Sequence, residues 1–318
     1  MSPVYVHFMY QKINKQASAR VPKAPPTGGT QNSNLPIASR HDGGRSKTVI
    51  SPPAGLQSLR RNMSITETTV ETPVSFYSKA KDYWSHVSPT VDGMLSGYTS
   101  LNVPDIADSE AFLDEFGPST TAYALDCGAG IGRVTKQLLL PRFSIVDMVE
   151  LTQLFLDQTE DYIGPTHFSR VGERFCMGLQ EFTPPTGRYD LIWIQWVLGH
   201  LSDLALLAFL KRCAHGLSPG GVIVIKENVT STGGHDENAV INSTEVNFDE
   251  IDSSYTRPRS AYIKVFKDAG LKLIGEKAQT NFPLSLYPVR MFALCCDGKP
   301  KASPTALVAP PSSAVLSA

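Results

Sequence analysis

Ala122-Tyr123-Ala124-Leu125-Asp126-Cys127-Gly128-Ala129-Gly130-Ile131-Gly132-Arg133 is an apolar run that ends in alternating glycines, with a helix-like segment, Val134 to Leu140, behind it. A strand here feeds a sharp turn into a helix N-terminus. Gly128, Gly130 and Gly132 let the backbone turn tightly and come close to a ligand, and the helix start points unpaired N–H groups at it. That is a nucleotide-type pocket. The dinucleotide fingerprint wants a third glycine three residues after the second, and this chain has Arg133 there. The spacing is G-x-G-x-G instead. Asp126 precedes the first glycine, and Glu150 closes the next apolar run, Ile145 to Leu151, about twenty residues on, where a ribose-binding carboxylate is expected. A lone glycine loop equally packs a helix on a strand, so the segments around it decide its meaning.

Beyond the loop, apolar runs and helical stripes alternate. Ser144 to Leu151 reads as a second strand, Thr152 to Tyr162 as a helix, Arg174 to Gly178 as a third strand, Tyr189 to Val197 as a fourth and Gly221 to Glu227 as a fifth. Asp203 to His215 reads as a helix with Leu204, Leu207 and Leu210 on one stripe. Strands alternating with helices imply parallel pairing through right-handed crossovers. Ser260 to Gly270 reads as a helix, followed by strands at Leu271 to Ala278 and Val289 to Cys296. Their connection is too short for a crossover helix, so those two pair antiparallel. The fold class is therefore α/β: a doubly wound, mostly parallel seven-stranded sheet with one reversed strand. Upstream, Phe76, Tyr77, Ala80, Tyr83, Trp84 and Val87 recur at helical spacing before Pro89, giving an N-terminal helical cap over about 75–105. Met94 and Leu95 between Gly93 and Gly97 suit either a packed cap or a mobile lid.

In such sheets ligands lie outside the carboxyl ends of the strands. The second strand end offers Glu150 and Leu151. After the third come Leu179 and Gln180, an amide beside an apolar side chain that suits an adenine. The fourth ends in Gln195, Trp196 and, further on, His200; the fifth ends in Asn228.

The whole chain of 318 residues carries a formal charge of −1. Met1 to Val70 contains nine Lys or Arg against two acids, a net +7, so the remainder carries −8. The first 70 residues are rich in Pro, Ser, Gly, Asn and Thr with no sustained apolar period, and read as a disordered extension. Its basic character fits a mitochondrial transit peptide, a nuclear address or a plain solvated extension. The folded domain is read over 71–298 and a loose tail over 299–318. The sequence contains no run of ~20 apolar residues for a membrane span and no secretory h-region. Five cysteines without C-x-x-C spacing indicate neither a disulfide framework nor a zinc site, hence a reduced intracellular protein with no metal.

Longer strings add to this reading. The glycine loop resembles the S-adenosylmethionine loop of class I methyltransferases. FYSKAKDYW, PTVDGML, ALDCGAGIGR, LLLP, GLQEFTP, YDLIWIQWVLGHL, GVIVIKEN and the closing Tyr287 to Leu294 closely resemble the alpha-N-terminal protein methyltransferases. That family methylates the terminal amine of X-Pro-Lys or X-Pro-Arg proteins once the initiator methionine is gone. The resemblance implies a class I SAM-dependent, Rossmann-like fold with S-adenosylmethionine as cofactor. It makes Gly128, Arg133, Glu150, Leu151, Leu179, Gln180 and Gln195 the cofactor contacts, with Arg133 reaching the methionine carboxylate. It makes Leu95, Trp196, Asn228, Asp249, Asp252, Ser254, Leu286 and Tyr287 the peptide channel, with His200 and Asp252 near the accepting amine. Two departures stand out: Ser96 replaces a usual lid glycine, and Val229 to Phe248 is a longer polar loop than usual. The resemblance further implies protein substrates with no direct nucleic-acid or membrane partner, a homo- or heterodimer with a related methyltransferase, and residence in nucleus and cytoplasm.

Methyl transfer from a sulfonium needs a free lone pair on nitrogen. A peptide α-amine, with a pKa of ~7.7–8.0, is far more often neutral at pH 7 than lysine at ~10.4, so a weak base serves it. His200 is expected to take the proton directly or through water, with Asp252 orienting it or sharing that duty. Loss of methylation with retained cofactor binding is the expected phenotype of His200→Ala and Asp252→Ala. The competing readings are methylation of another amine and a non-catalytic partner that keeps the fold. The fourth strand end lacks the Asn/Asp-Pro-Pro-Tyr/Phe signature of nucleic-acid amine methylation.

Overall fold

A computed structural model describes residues 73–296 of the chain. The readings of 1–70 as a disordered extension and of 299–318 as a loose tail lie outside the described residues.

The cap comes first: α1 (Pro73–Ser85), the single turn α2 (Val91–Met94) and α3 (Asn102–Phe116). The sheet strands follow as β1 (Tyr123–Cys127), β2 (Ile145–Glu150), β3 (Val171–Cys176), β4 (Tyr189–Gln195) and β5 (Leu217–Asn228). Between them lie α4 (Gln153–Ile163), α5 (Pro165–Phe168) and α6 (Asp203–Gly216). A second unit of chain, with α7 (Glu237–Ile241), the short hairpin β6 (Asn247–Asp249) and β7 (Ser254–Thr256), and α8 (Arg259–Asp268), precedes the closing strands β8 (Leu271–Ala278) and β9 (Val289–Cys296).

Seven strands form one sheet in the order β3-β2-β1-β4-β5-β9-β8. β1 through β5 pair in parallel, and β9 runs antiparallel to both β5 and β8, so β9 is the one reversed strand expected from the sequence. It is inserted beside the edge, not at it. The winding direction changes between β1 and β4, which makes their carboxyl ends the switch point where such sheets open a crevice. All seven residues of β4 are buried, as a central strand covered on both faces must be.

Four local readings shift. β3 begins at Val171, three residues before the expected start, and β5 begins at Leu217, four before, through Pro219, Gly220 and Gly221. The buried stripe of α6 is Leu206, Phe209, Leu210 and Cys213, whereas Leu204 is 83% exposed. The helix-like segment after the glycine loop is a π-helical turn, Thr135–Leu139, a form that tends to appear at functional sites.

Candidate functional site

The loop after β1 takes its shape from its glycines. Gly128 has φ +71°, and a Cβ there would lie 2.8 Å from the Val197 side chain, so the β1 and β4 ends touch only because that atom is missing. Gly130 has φ +56° and lies under the cap residue Met94. Glu150 ties the loop to β2: one carboxylate oxygen accepts from Gly130 N–H at 3.0 Å and the other from Thr152 N–H at 2.9 Å. Burial pushes the Glu150 carboxyl up, and those backbone donors oppose the rise. Below the loop, burial lifts Asp126 to about 6, while the hydroxyl of Thr135 donates to it at 2.6 Å.

A cavity of about 480 Å³ opens at this switch point, within the range of small-molecule sites. Gly128, Arg133, Glu150, Leu151, Leu179, Gln180 and Gln195 all line it, as do Leu95, Trp196 and His200. The cap closes one side with Tyr77, Trp84 and Met94. Tyr77 and Trp84 read in the sequence only as part of a packed stripe, because an apolar period does not say what lies opposite it, whereas Met94 reads there as either a packed cap or a mobile lid.

Arg133 is held by one end of its guanidinium. Its Nη1 lies 2.8 Å from Asp105 Oδ2 and donates to Asn102 Oδ1 at 3.1 Å, and its plane stands 5.7 Å from the Trp196 ring. Both contacts use Nη1, so the Nε–Nη2 edge remains as a fork that matches a carboxylate. Asp105 is fully buried and also pairs with Lys226 at 2.6 Å and accepts from Gln195 Nε2 at 2.9 and 3.0 Å. Burial pushes the Asp105 carboxyl up, but Lys226 and Arg133 outweigh it and hold it below its usual range; burial pulls Lys226 down. No motif or spacing in the sequence marks Asp105 or Lys226 as partners.

The acceptor side is built on the turn after β4. Trp196 adopts φ +51°, its N–H bonds Lys226 O at 3.1 Å, and Glu227 accepts from Val197 N–H and Leu198 N–H, both at 2.8 Å. Arg257 fixes the same turn from the other side by donating to Leu198 O at 3.1 Å and Leu201 O at 2.6 Å. A small space of about 10 Å³ lies here, bounded by Trp196, Gly199, His200, Glu227, Asn228 and Ser254 among others. Trp196 and His200 line both spaces and form the wall between them.

Six buried side-chain N or O atoms of the described residues have no hydrogen-bond partner, and four belong here: Trp196 Nε1, Asn228 Oδ1, Asp252 Oδ2 and Ser253 Oγ. Such atoms are costly to bury unless something pairs with them. Backbone strain is concentrated in the same region. Of the four non-glycine residues with positive φ among the described residues, Ser96, Trp196 and Ser253 flank the site, at +50°, +51° and +56°.

The expected pairing of His200 with Asp252 takes another form. His200 Nδ1 lies 3.3 Å from the carbonyl of Ser253, which can only accept, and Nε2 accepts from the Trp84 indole at 2.9 Å. This fixes the neutral Nδ1–H tautomer and occupies both ring nitrogens. Burial lowers His200 to about 4, partly opposed by the Ser253 carbonyl. Asp252 instead accepts from the Ser254 hydroxyl at 2.7 Å through Oδ1, leaving Oδ2 unpaired. Burial raises it to about 7, with the Asp249 carboxylate adding to the rise and Ser254 opposing it.

The remaining channel residues cluster behind this point. Asp249 pairs with Ser254 across the β6–β7 hairpin and accepts from Ile251 N–H at 2.9 Å. Leu286 is buried against Leu101, with Tyr98 and Phe282 alongside, and Tyr287 accepts from Asn247 at 3.0 Å through its hydroxyl. Asp249, Asp252, Leu286 and Tyr287 do not line either space. The long segment after β5 is folded: Val240 enters the main core, and His235 Nε2 donates to Leu286 O at 2.9 Å.

The model of a family described as AdoMet dependent proline di-methyltransferase matches residues 72–295. N-terminal Xaa-Pro-Lys N-methyltransferase 1 of Xenopus tropicalis is 49% identical over 232 residues, covering 71% of this chain and 97% of that protein. Its Mus musculus counterpart is 46% identical over 235 residues, covering 72% and 100%. Among solved structures, a SAM-dependent methyltransferase from Leishmania major is similar with a TM-score of 0.62 and 34% identity, covering 69% of this chain and 82% of that one.

Proposed function

This chain belongs to the AdoMet-dependent proline di-methyltransferases, and from that premise we infer that it methylates the α-amine of protein N-termini of the X-Pro-Lys/Arg type with S-adenosylmethionine. The observation that carries the reading is the shared wall. Trp196 and His200 separate a cavity of cofactor size from a slot edged by unpaired buried polar atoms.

The residues of the large cavity fit the cofactor. The unclaimed edge of Arg133 suits its carboxylate, the Glu150 oxygens retain lone pairs for ribose hydroxyls, and Leu179 with Gln180 suits an adenine. When bound, S-adenosylmethionine supplies a methyl group activated on a sulfonium. The protein then has to hold an unprotonated amine in line with it, which is mainly a matter of position. Trp196 walls the slot, and Asn228 Oδ1 is an acceptor for a substrate N–H.

Asp252 is the proton acceptor in this mechanism, with the Ser254 hydroxyl on the slot side of it. An ammonium of pKa ~7.7–8.0 and a carboxyl at about 7 are nearly matched. Transfer to His200 at about 4 would run uphill by about 5 kcal/mol. His200 therefore shapes the wall as a neutral ring. Asp249 is assigned to the third-position cation, consistent with its half-buried carboxylate on the hairpin.

Mass spectrometry of Ser-Pro-Lys and Ser-Pro-Glu peptides incubated with enzyme and cofactor tests this. Methylation at the α-amine of the first and little of the second is expected. Methylation on the lysine side chain, or none with either peptide, would overturn it.

A further inference from the structure

We propose that Asp105 is a positioning residue for cofactor binding, an anion buried in the cap helix that orients Arg133 and Gln195 toward the carboxylate end of the cavity. It rests on the reading that this cavity takes S-adenosylmethionine.

Asp105 gathers residues from four parts of the chain. It sits on α3, and it holds Arg133 from the turn after the glycine loop at 2.8 Å, Lys226 from β5 at 2.6 Å and Gln195 from β4 at 2.9 and 3.0 Å. Lys226 also donates to Ser109 Oγ at 2.8 Å and to Asp105 O at 2.9 Å, which ties the carboxylate's own helix turn to the sheet. Gln195 is oriented at both ends, because its Oε1 accepts from the buried Trp193 indole at 3.0 Å. With Nη1 consumed by Asp105 and Asn102, Arg133 keeps Nε and Nη2 for a ligand.

Charge points the same way. Two cations, Arg133 and Lys226, share one carboxylate in a region where all three are at most 6% exposed. Asp126 and Asp108 act on Arg133 and Lys226 only from a distance, so Asp105 is the one carboxylate in direct contact with both cations and a ligand carboxylate would give Arg133 a second contact partner. Lys226 does not line the cavity, so it acts through Asp105.

The test compares two ligands by calorimetry on the full chain. S-adenosylhomocysteine carries the amino-acid carboxylate; 5′-methylthioadenosine has the same adenosine without it. The double variant Asp105→Asn/Lys226→Met keeps the net charge of the network and deletes the anchor. At least a tenfold loss of affinity for S-adenosylhomocysteine is expected, with 5′-methylthioadenosine unchanged. Should that variant fail to fold, Asn102→Ala removes the other anchor of Nη1 from a half-buried position, and a loss of about threefold with the same selectivity is expected. Equal loss for both ligands, or wild-type affinity for S-adenosylhomocysteine, overturns the proposal. If the unaltered chain binds neither ligand, the cavity reading itself fails and this inference falls with it.

Discussion

The indole N–H of Trp84, on the cap, donates to Nε2 of His200, on the turn after β4, at 2.9 Å. The rings meet edge-on at 5.8 Å. Because that bond is made to the neutral ring, it opposes protonation. Trp84→Phe keeps the aromatic body and removes the donor, so the His200 pKa is expected to rise above about 4, with burial still holding it below the ordinary 6.5. Nitrogen-15 NMR of the imidazole across pH 4 to 7 reads this directly. An unchanged titration would show that burial alone keeps the ring neutral.

Asp252→Asn is expected to lower kcat by about 10²–10³ without changing cofactor affinity, since a proton acceptor is lost and no cavity wall is altered. In the unaltered enzyme, kcat should rise with pH through about 7 and then level, because the carboxylate form is the active one. A flat profile in that window would assign the base elsewhere.

The same carboxyl has a stability consequence of opposite sign. Its folded pKa, about 7, lies above the ordinary 3.8, so its contribution to stability is fully present below pH 3.8 and is lost as pH rises through 7. At pH 8 the cost is on the order of 4 kcal/mol before relaxation. Asp252→Asn should therefore melt higher than the unaltered protein at pH 8, and lose that advantage at pH 4. Melting curves at the two pH values check it.

The sequence carried the frame of this molecule further than its chemistry. The strands at Ala122 to Cys127 and Tyr189 to Val197 were legible because a central parallel strand has no solvent face and becomes a continuous apolar run. β3 was only partly legible, since Gly172, Glu173 and Arg174 at this edge are exposed and give no apolar signal. The seven cofactor positions came from strand ends and resemblance, and all reach the cavity. Asp105 stayed hidden because its partners lie 28, 90 and 121 residues away, beyond any periodic pattern. The split between His200 and Asp252 was equally invisible, for it depends on an indole donated from the cap.

Gly128→Ala tests the switch point itself. The new Cβ would meet Val197 at 2.8 Å in a backbone conformation, φ +71°, that costs a non-glycine residue about 1–2 kcal/mol. Affinity for S-adenosylhomocysteine is expected to fall at least tenfold, with a lowered melting temperature. Retained affinity would mean that the loop can shift away from the β4 turn.

Asn247, from the long segment after β5, supplies the last test. Its amide donates to the Tyr287 hydroxyl at 3.0 Å, while His235 grips the carbonyl of Leu286 at 2.9 Å, so this segment holds two expected channel residues by two bonds. The carboxylates of Asp249 and Glu245 both act on that phenol and, after burial, help to push its pKa up. Asn247→Ala therefore removes one hold on Tyr287 without touching the cofactor cavity. Each bond of this kind is worth about 0.5–1.5 kcal/mol, which corresponds to a rise of roughly 2- to 10-fold in the peptide KM. Steady-state kinetics with a Ser-Pro-Lys peptide, with cofactor KM and kcat as internal controls, measures it. An increase confined to the peptide KM assigns the long segment to substrate recognition. A matching change in the cofactor KM would instead make it part of the general scaffold.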